Sequence, residues 1–337
     1  MKIKILNITL SVSAALLFLW FAFKNIDFDE LWQQILLVNY YWLPFFIVIL
    51  VLSHYFRAER WRLLLPKEHQ KTERSTLFAG VMLGYAVNNI VPRLGEISRP
   101  VYVSKKTGLT SGNLIGTVVS ERIFDIITVL FIAMVALFWL IKDLGTLESL
   151  LGLEGWSSAY YLFSPLLIFM LLFFIWIFYK LILYIENNID IQNPFFIKIL
   201  TFGRSFSEGL ISLKNVKNWP LFLFLTFCIW LGYILMVYLP FFMMQMQADF
   251  GLNFWDAVVL TVVSSVGLSI PTPAGIGSYH LLIQQSLFLL YEVPLAKALT
   301  FATVIHAVTI ITVFLVSPIA LWWDKAVTMK NSVEANS

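Results

Sequence analysis

The repeated apolar runs of this chain leave it few ways to fold. Runs at 5–23, 42–57, 112–141, 160–183, 219–245 and 299–323 carry little charge, and most approach the roughly 20 residues that a helix needs to cross a hydrocarbon core about 30 Å thick. Hydrocarbon offers no partner to peptide N–H and C=O groups, so a crossing segment must satisfy them within a helix or across a closed barrel. These runs are long and lack the alternation of barrel strands. The sequence therefore predicts an all-α polytopic membrane protein. Composition agrees, with 59% of residues hydrophobic and 13% charged.

The first run follows a basic start with Lys2 and Lys4, as in a secretory signal. It is long, however, and no small-x-small site precedes Lys24, so it is expected to stay as a first span. Two shorter apolar pieces, 77–91 and 257–270, reach only about 21–23 Å at ~1.5 Å per residue. Each runs into a Pro/Gly break, VPRLG or IPTPAGIG, and reads as a half-helix of a re-entrant hairpin.

Loop charge supports that reading. Lys2 and Lys4 before the first span, and Arg57, Arg60, Arg62, Lys67, Lys71 and Arg74 after the second, place both segments in the cytoplasm. The opposite loops hold Asp27, Asp29, Glu30, Asp143, Glu148, Glu154, Asp249 and Asp256 and are poor in Lys and Arg. Were 77–91 to cross fully, Arg93, Arg99, Lys105 and Lys106 would lie outside. A hairpin keeps them inside. The second hairpin then enters from the outer side and returns through 279–291, and both termini are cytoplasmic.

The expected architecture is about six full spans plus two re-entrant helical hairpins, or eight helices if both short pieces cross. It forms an inverted repeat with halves 1–141 and 160–323 in one transmembrane domain, 1–326, followed by a polar cytoplasmic tail, 327–337. The connection 186–218 mixes Lys198, Arg204, Lys214 and Lys217 with apolar residues; it reads equally as an amphipathic segment on the inner surface and as a solvated linker.

Charge inside such a shell must be paired or face water, which singles out 84–125. In VPRLGEISRP, Pro92 lacks an N–H and Gly95 tolerates positive φ, so the backbone can break at depth. Arg93, Glu96 and Arg99 follow at spacings of three, one face of a helix. Two arginines around one carboxylate leave a positive site, and the guanidinium fork suits a lipid phosphate. Asn88 and Asn89 add neutral donors at the same place. Downstream, Glu121 and Asp125 are i,i+4 with Arg122 beside them, placed either to hold Arg93 or Arg99 or simply to tie the hairpin to its neighbour by ion pairs.

The second break, at Pro271, Pro273, Gly275 and Gly277, carries no charge. It offers backbone dipoles and room for another chain or a lipid tail, with Tyr279, His280 and Gln284 as candidates to line a path. His54 and His306 stand as lone histidines, and Cys228 is the only cysteine, so no metal site is expected. No cofactor is expected either. Walker A, GxGxxG, HExxH and nucleophile-elbow patterns are absent, and no basic face suited to nucleic acid appears.

The pattern N-x3-P-x-R-x-G-E-x2-R-P from Asn88 to Pro100, the later Glu121-Arg122-x2-Asp125, and Pro271-x-Pro273-x-Gly275-Ile276-Gly277 together resemble the flippase-like family, the transmembrane region of lysylphosphatidylglycerol synthases in its standalone form. The resemblance implies a multi-pass protein of the bacterial cytoplasmic (inner) membrane that handles anionic, aminoacylated or polyprenyl-linked lipids. The resemblance is to the standalone form, so no aminoacyl-transfer domain is expected. This chain has Pro-Ala-Gly where the family commonly has Pro-Gly-Gly, and His280 near a common carboxylate position.

The expected function is a lipid flippase or transporter and not an enzyme, its headgroup phosphate on Arg93 and Arg99 with Glu96, Glu121 and Asp125 setting their geometry. A membrane-embedded transferase on a polyprenyl phosphate, with Glu96 or Asp125 as base, and an accessory subunit of a glycosyltransferase are the alternatives. Expected partners are membrane lipids, a second copy of the chain or a lipid-modifying enzyme.

Overall fold

The computed structural model describes residues 2–24, 26–142 and 216–334. The run at 160–183 and most of the connection 186–218 lie outside the described residues. Among those described, regular structure is helical: α1 (Lys2–Phe23), α2 (Phe28–Leu36), α3 (Leu43–Leu64), α4 (Arg74–Ile90), α5 (Gly95–Thr107), α6 (Ser111–Lys142), α7 (Trp219–Met243), α8 (Met246–Phe250), α9 (Phe254–Ser269), α10 (Ser278–Tyr291) and α11 (Leu295–Glu334). Three stretches, Tyr40–Leu64, Trp219–Met243 and Leu295–Asn331, are long and apolar enough to cross a membrane. The chain is therefore a helical membrane protein.

Side-chain caps start several of these helices. Asp27 accepts the Asp29 N–H at 2.8 Å ahead of α2. Asn218 caps α7 through Leu221 at 3.0 Å, and Asn253 and Asp256 form a reciprocal capping box on α9. Both predicted breaks follow one rule: a residue before proline is pushed out of the helical region. Val91, before Pro92, is extended and ends α4; Ile270, before Pro271, is extended and ends α9.

Two sequence boundaries move. The second span does not stop at Arg57: α3 continues to Leu64, just before Pro66, and carries Arg57 and Arg60 as buried helical residues instead of loop charges. No breaker precedes Pro66, and partners on α6 offset the burial of both arginines. At the other end, α11 runs on through residues 327–334, where Lys330 and Glu334 form an exposed i,i+4 pair at 3.8 Å.

The long helices pass through two apolar lobes. α3 gives Phe46 and Leu50 to one lobe and Ala58, Trp61 and Leu64 to the other. α7 spans them with Phe222 and Leu225 at one end and Val237 and Phe241 at the other, and α6 with Leu114 and Val118 against Ala136. The hairpin α4–α5 belongs to the lobe of Trp61 and Phe222 through Leu77, Met82 and Val103. The hairpin α9–α10 belongs to the other through Leu260, Ile283 and Leu287. Their tips meet, because the turn Pro273–Gly275 packs against α4.

Glycine makes the first hairpin close. A Cβ at Gly95 would overlap the Gly84 carbonyl oxygen and stand 2.7 Å from Asn88 Oδ1, the atom that accepts the Gly95 N–H at 2.7 Å. The open end is clamped to α11 by Asp324, which is fully buried. It accepts from Thr76 at 2.5 Å, Ser75 at 3.3 Å, Lys106 at 2.5 Å and the Tyr102 hydroxyl.

Gly95→Ala should therefore splay the hairpin and lower stability by about 1–3 kcal/mol, the usual range for overpacking. Gly116→Ala, where nothing lies within 4 Å of the new Cβ, should raise it by up to ~1 kcal/mol through helix propensity. Thermal unfolding in detergent measures both; equal effects would contradict the packing described.

Candidate functional site

The polar layer between the lobes is built by α3, α5 and α6. On α6, Glu121 and Asp125 lie one turn apart and face α3. Arg57 donates through Nε to Glu121 and through Nη2 to Asp125, and its Nη1 reaches the hydroxyls of Tyr85 at 2.7 Å and Tyr233 at 2.8 Å. Arg60 donates to Asp125 at 2.6 Å and to Thr226 at 3.3 Å. Arg99, from α5, completes the group by donating to Glu121 at 3.0 and 3.4 Å. Its guanidinium lies 3.8 Å above the ring of Trp61, whose indole N–H donates to Thr117 at 2.8 Å.

Burial makes these pairs consequential. The side chains of Arg57, Arg60 and Glu121 are 4%, 0% and 1% exposed, and such charges are tolerable only when fully engaged. The second α5–α6 contact is of another kind: Arg122 and Glu96 pair at 3.3 Å with about two-fifths of each side chain exposed.

Four guanidinium groups, of Arg57, Arg60, Arg99 and Arg122, thus meet three carboxylates, of Glu96, Glu121 and Asp125. The cluster carries one surplus positive charge. A narrow cleft of about 10 Å³, room for one water molecule, lies against it and is lined by Arg57, Gly84, Tyr85, Asn88, Glu96, Arg99 and Arg122 among others. The Nε of Arg99 is buried with no hydrogen-bond acceptor.

The predicted residues divide accordingly. Arg99, Glu96, Glu121, Arg122 and Asp125 come together, and Asn88 binds the backbone of the turn. Arg93 does not join them: it sits exposed at the hairpin tip at φ 65°, near the exposed Ile90, Leu94 and Ile97. Asn89 and Pro92 are half-buried. Pro271 is exposed, Gly275 and Gly277 are buried, and Gly277 is approached by α1 at Phe18 and Leu19. Gln284 donates to the carbonyls of Ala22 at 3.0 Å and Leu295 at 3.4 Å, tying α10 to α1 and α11. Tyr279 and His280 are buried beside His306, so His306 is not a lone histidine. His54 stacks on Tyr85 at 4.1 Å.

Arg57 and Arg60 are the site residues that sequence reasoning missed. A signal existed: they are three apart on an unbroken helical pattern, and Glu121 and Asp125, four apart, left two carboxylates wanting partners.

These features define a polytopic helical membrane protein with a paired ionic cluster set against a broken helical hairpin. Sequence comparison places it further: the chain belongs to the family of the lysylphosphatidylglycerol synthase TM region, whose model matches residues 5–317. Two relatives come from Methanocaldococcus jannaschii. UPF0104 membrane protein MJ1078 is 25% identical over 192 residues, covering 57% of this chain and 74% of that protein. UPF0104 membrane protein MJ1595 is 27% identical over 134 residues, covering 39% and 40%. No solved structure matches the chain.

Glu121→Gln removes the one carboxylate shared by Arg57, Arg60 and Arg99, and is expected to cost about 3–5 kcal/mol. Glu96→Gln, at the exposed pair, should cost less than about 1 kcal/mol. Denaturant titration in micelles distinguishes them, and similar losses would contradict the division between buried frame and exposed rim.

Proposed function

We propose that this protein binds the phosphate of an anionic, aminoacylated or polyprenyl-linked lipid at the cleft beside Arg99 and moves that lipid between leaflets. One observation carries the reading: Arg99, a buried guanidinium with an unused N–H, lines a cleft beside an ionic cluster whose charges sum to plus one. A phosphate oxygen supplies both the missing acceptor and the missing charge. The acyl or prenyl chains stay in the membrane, and the exposed Ile90, Leu94 and Ile97 at the hairpin tip suit contact with them.

The two hairpins support alternation. They occupy opposite lobes and touch at their tips, and an inverted repeat in which each hairpin opens toward one leaflet would use such a placement. On this reading the protein sits in the cytoplasmic membrane with both termini inside. A transferase would need a free base, whereas Glu121 and Asp125 are each bonded to two arginines and Glu96 faces Arg122; this favours charge-holding over proton abstraction.

The test is mass spectrometry of lipids that co-purify in mild detergent. One phosphate-bearing lipid class should be enriched with the wild type and fall about tenfold, a loss of ~1.4 kcal/mol, with Arg99→Gln. Movement of that class between leaflets of reconstituted vesicles should fall with it. Equal, unselective lipid in both proteins would remove the assignment.

Arg93 separates charge from backbone. A left-handed non-glycine residue costs roughly 1–2 kcal/mol, so Arg93→Gly should leave thermal stability unchanged or raised while lowering lipid retention a few-fold. Undiminished retention would exclude Arg93 from headgroup capture.

A further inference from the structure

The second hairpin carries a cluster that lipid binding does not use. In its turn Ala274, Gly275 and Gly277 all have positive φ, at 53°, 77° and 85°. One imidazole holds this backbone in place and a second packs against it. His280 Nδ1 accepts the Gly277 N–H at 3.4 Å, and His306 reaches across from α11 to lie beside it. The two rings are 5.0 Å apart between centroids, with the Tyr279 ring 4.9 Å from His306. Each histidine is 7% exposed.

The tautomer follows from the bond. An Nδ1 that accepts holds a lone pair, so neutral His280 carries its proton on Nε2. An added proton has only Nδ1 to occupy. There it takes the acceptor away from the Gly277 N–H and places a cation beside a second imidazole in a buried site.

Among the described residues no counter-ion is free to offset it. On α1's side, Lys24 lies over Trp20 and Phe21, and Asp29 and Glu30 of α2 are exposed. α3 presents His54, stacked on Tyr85 of α4, with Arg57 and Arg60 committed to Glu121 and Asp125; Arg74 of α4 pairs with Glu59. Asp256 of α9 serves its own cap and Trp139. On α11, Lys297 pairs with Asp249 and Asp324 with Lys106, while Lys325 is exposed. α10 itself offers Tyr279 and, at its far end, Tyr291. A protonated His280 and a closed turn therefore exclude one another: the charge persists only where water reaches it.

We propose that the His280–His306 pair is a proton-binding site, and that a proton taken up there opens the turn of the second hairpin. This stands whether or not the protein moves lipid.

The test is amide hydrogen exchange of purified protein in micelles, corrected for intrinsic rates, on peptides covering 271–281 and 84–100. Between about pH 8 and about pH 5.5, across the histidine range, protection of 271–281 should fall about tenfold or more, one pH unit of linkage, while 84–100 is unchanged. In His280→Asn, whose Oδ1 stands in for Nδ1 as a non-titrating acceptor, 271–281 should stay protected at both pH values. Unchanged protection in the wild type, or equal opening in His280→Asn, would overturn the proposal. Should that variant fail to fold, the ¹³Cε1 resonance of His280 in the wild type decides. A shift that tracks the opening of the turn supports the site; opening without a shift overturns it.

Discussion

The structure depends on the ion pairs that Glu121 and Asp125 make with α3 and α5. Charges taken out of water are favourable only in close, fully bonded sets, so these two carboxylates fix where three helices must meet. Arg57 bonds both of them and two tyrosine hydroxyls, one from α4 and one from α7. A single guanidinium therefore ties its own helix to three neighbours. The apolar lobes on either side set the depth of this layer but not its register, because aliphatic packing tolerates sliding and a bidentate arginine does not.

Much of this was legible in the residues. Proline at 92 and 271 placed the two breaks correctly, because the restriction on the preceding residue is local and needs no tertiary context. The helices that flank them, α4, α9 and α10, lie within a few residues of the expected 77–91, 257–270 and 279–291. The gathering of Arg99 with Glu121 was also foreseeable, since buried charges seek opposite partners. What was not legible is as instructive. Arg57 and Arg60 looked like positive-inside loop charges because that rule counts Lys and Arg near a span without asking whether the helix has ended. Arg93 was grouped with Arg99 by spacing, yet the helix that would align them begins only at Gly95. His280 and His306 are 26 positions apart on different helices, and nothing local announces their contact.

The two hairpins solve the same backbone problem with different chemistry. In the first, Asn88 accepts from the turn and the charges lie on the limb that follows. In the second, Ser278 donates to the Gly267 carbonyl at 2.8 Å and the His280 imidazole accepts from the turn. One break is set in a permanent ionic network. The other rests on neutral groups, a serine hydroxyl and an imidazole.

The placement of charge also decides what can move. Arg57 and Arg60 with Glu121 and Asp125 form a neutral set that belongs wholly to α3 and α6. Arg99 is extra, and it rides on the first hairpin. If that hairpin shifts, Glu121 keeps two arginine neighbours and is not left bare, so the buried frame tolerates the loss of Arg99 far better than the loss of Glu121 itself. The remaining link, Glu96 to Arg122, is exposed enough for water to replace it at little cost. The surplus positive charge, which gives the proposed lipid phosphate its reason to bind, is thus carried by an element outside that neutral frame.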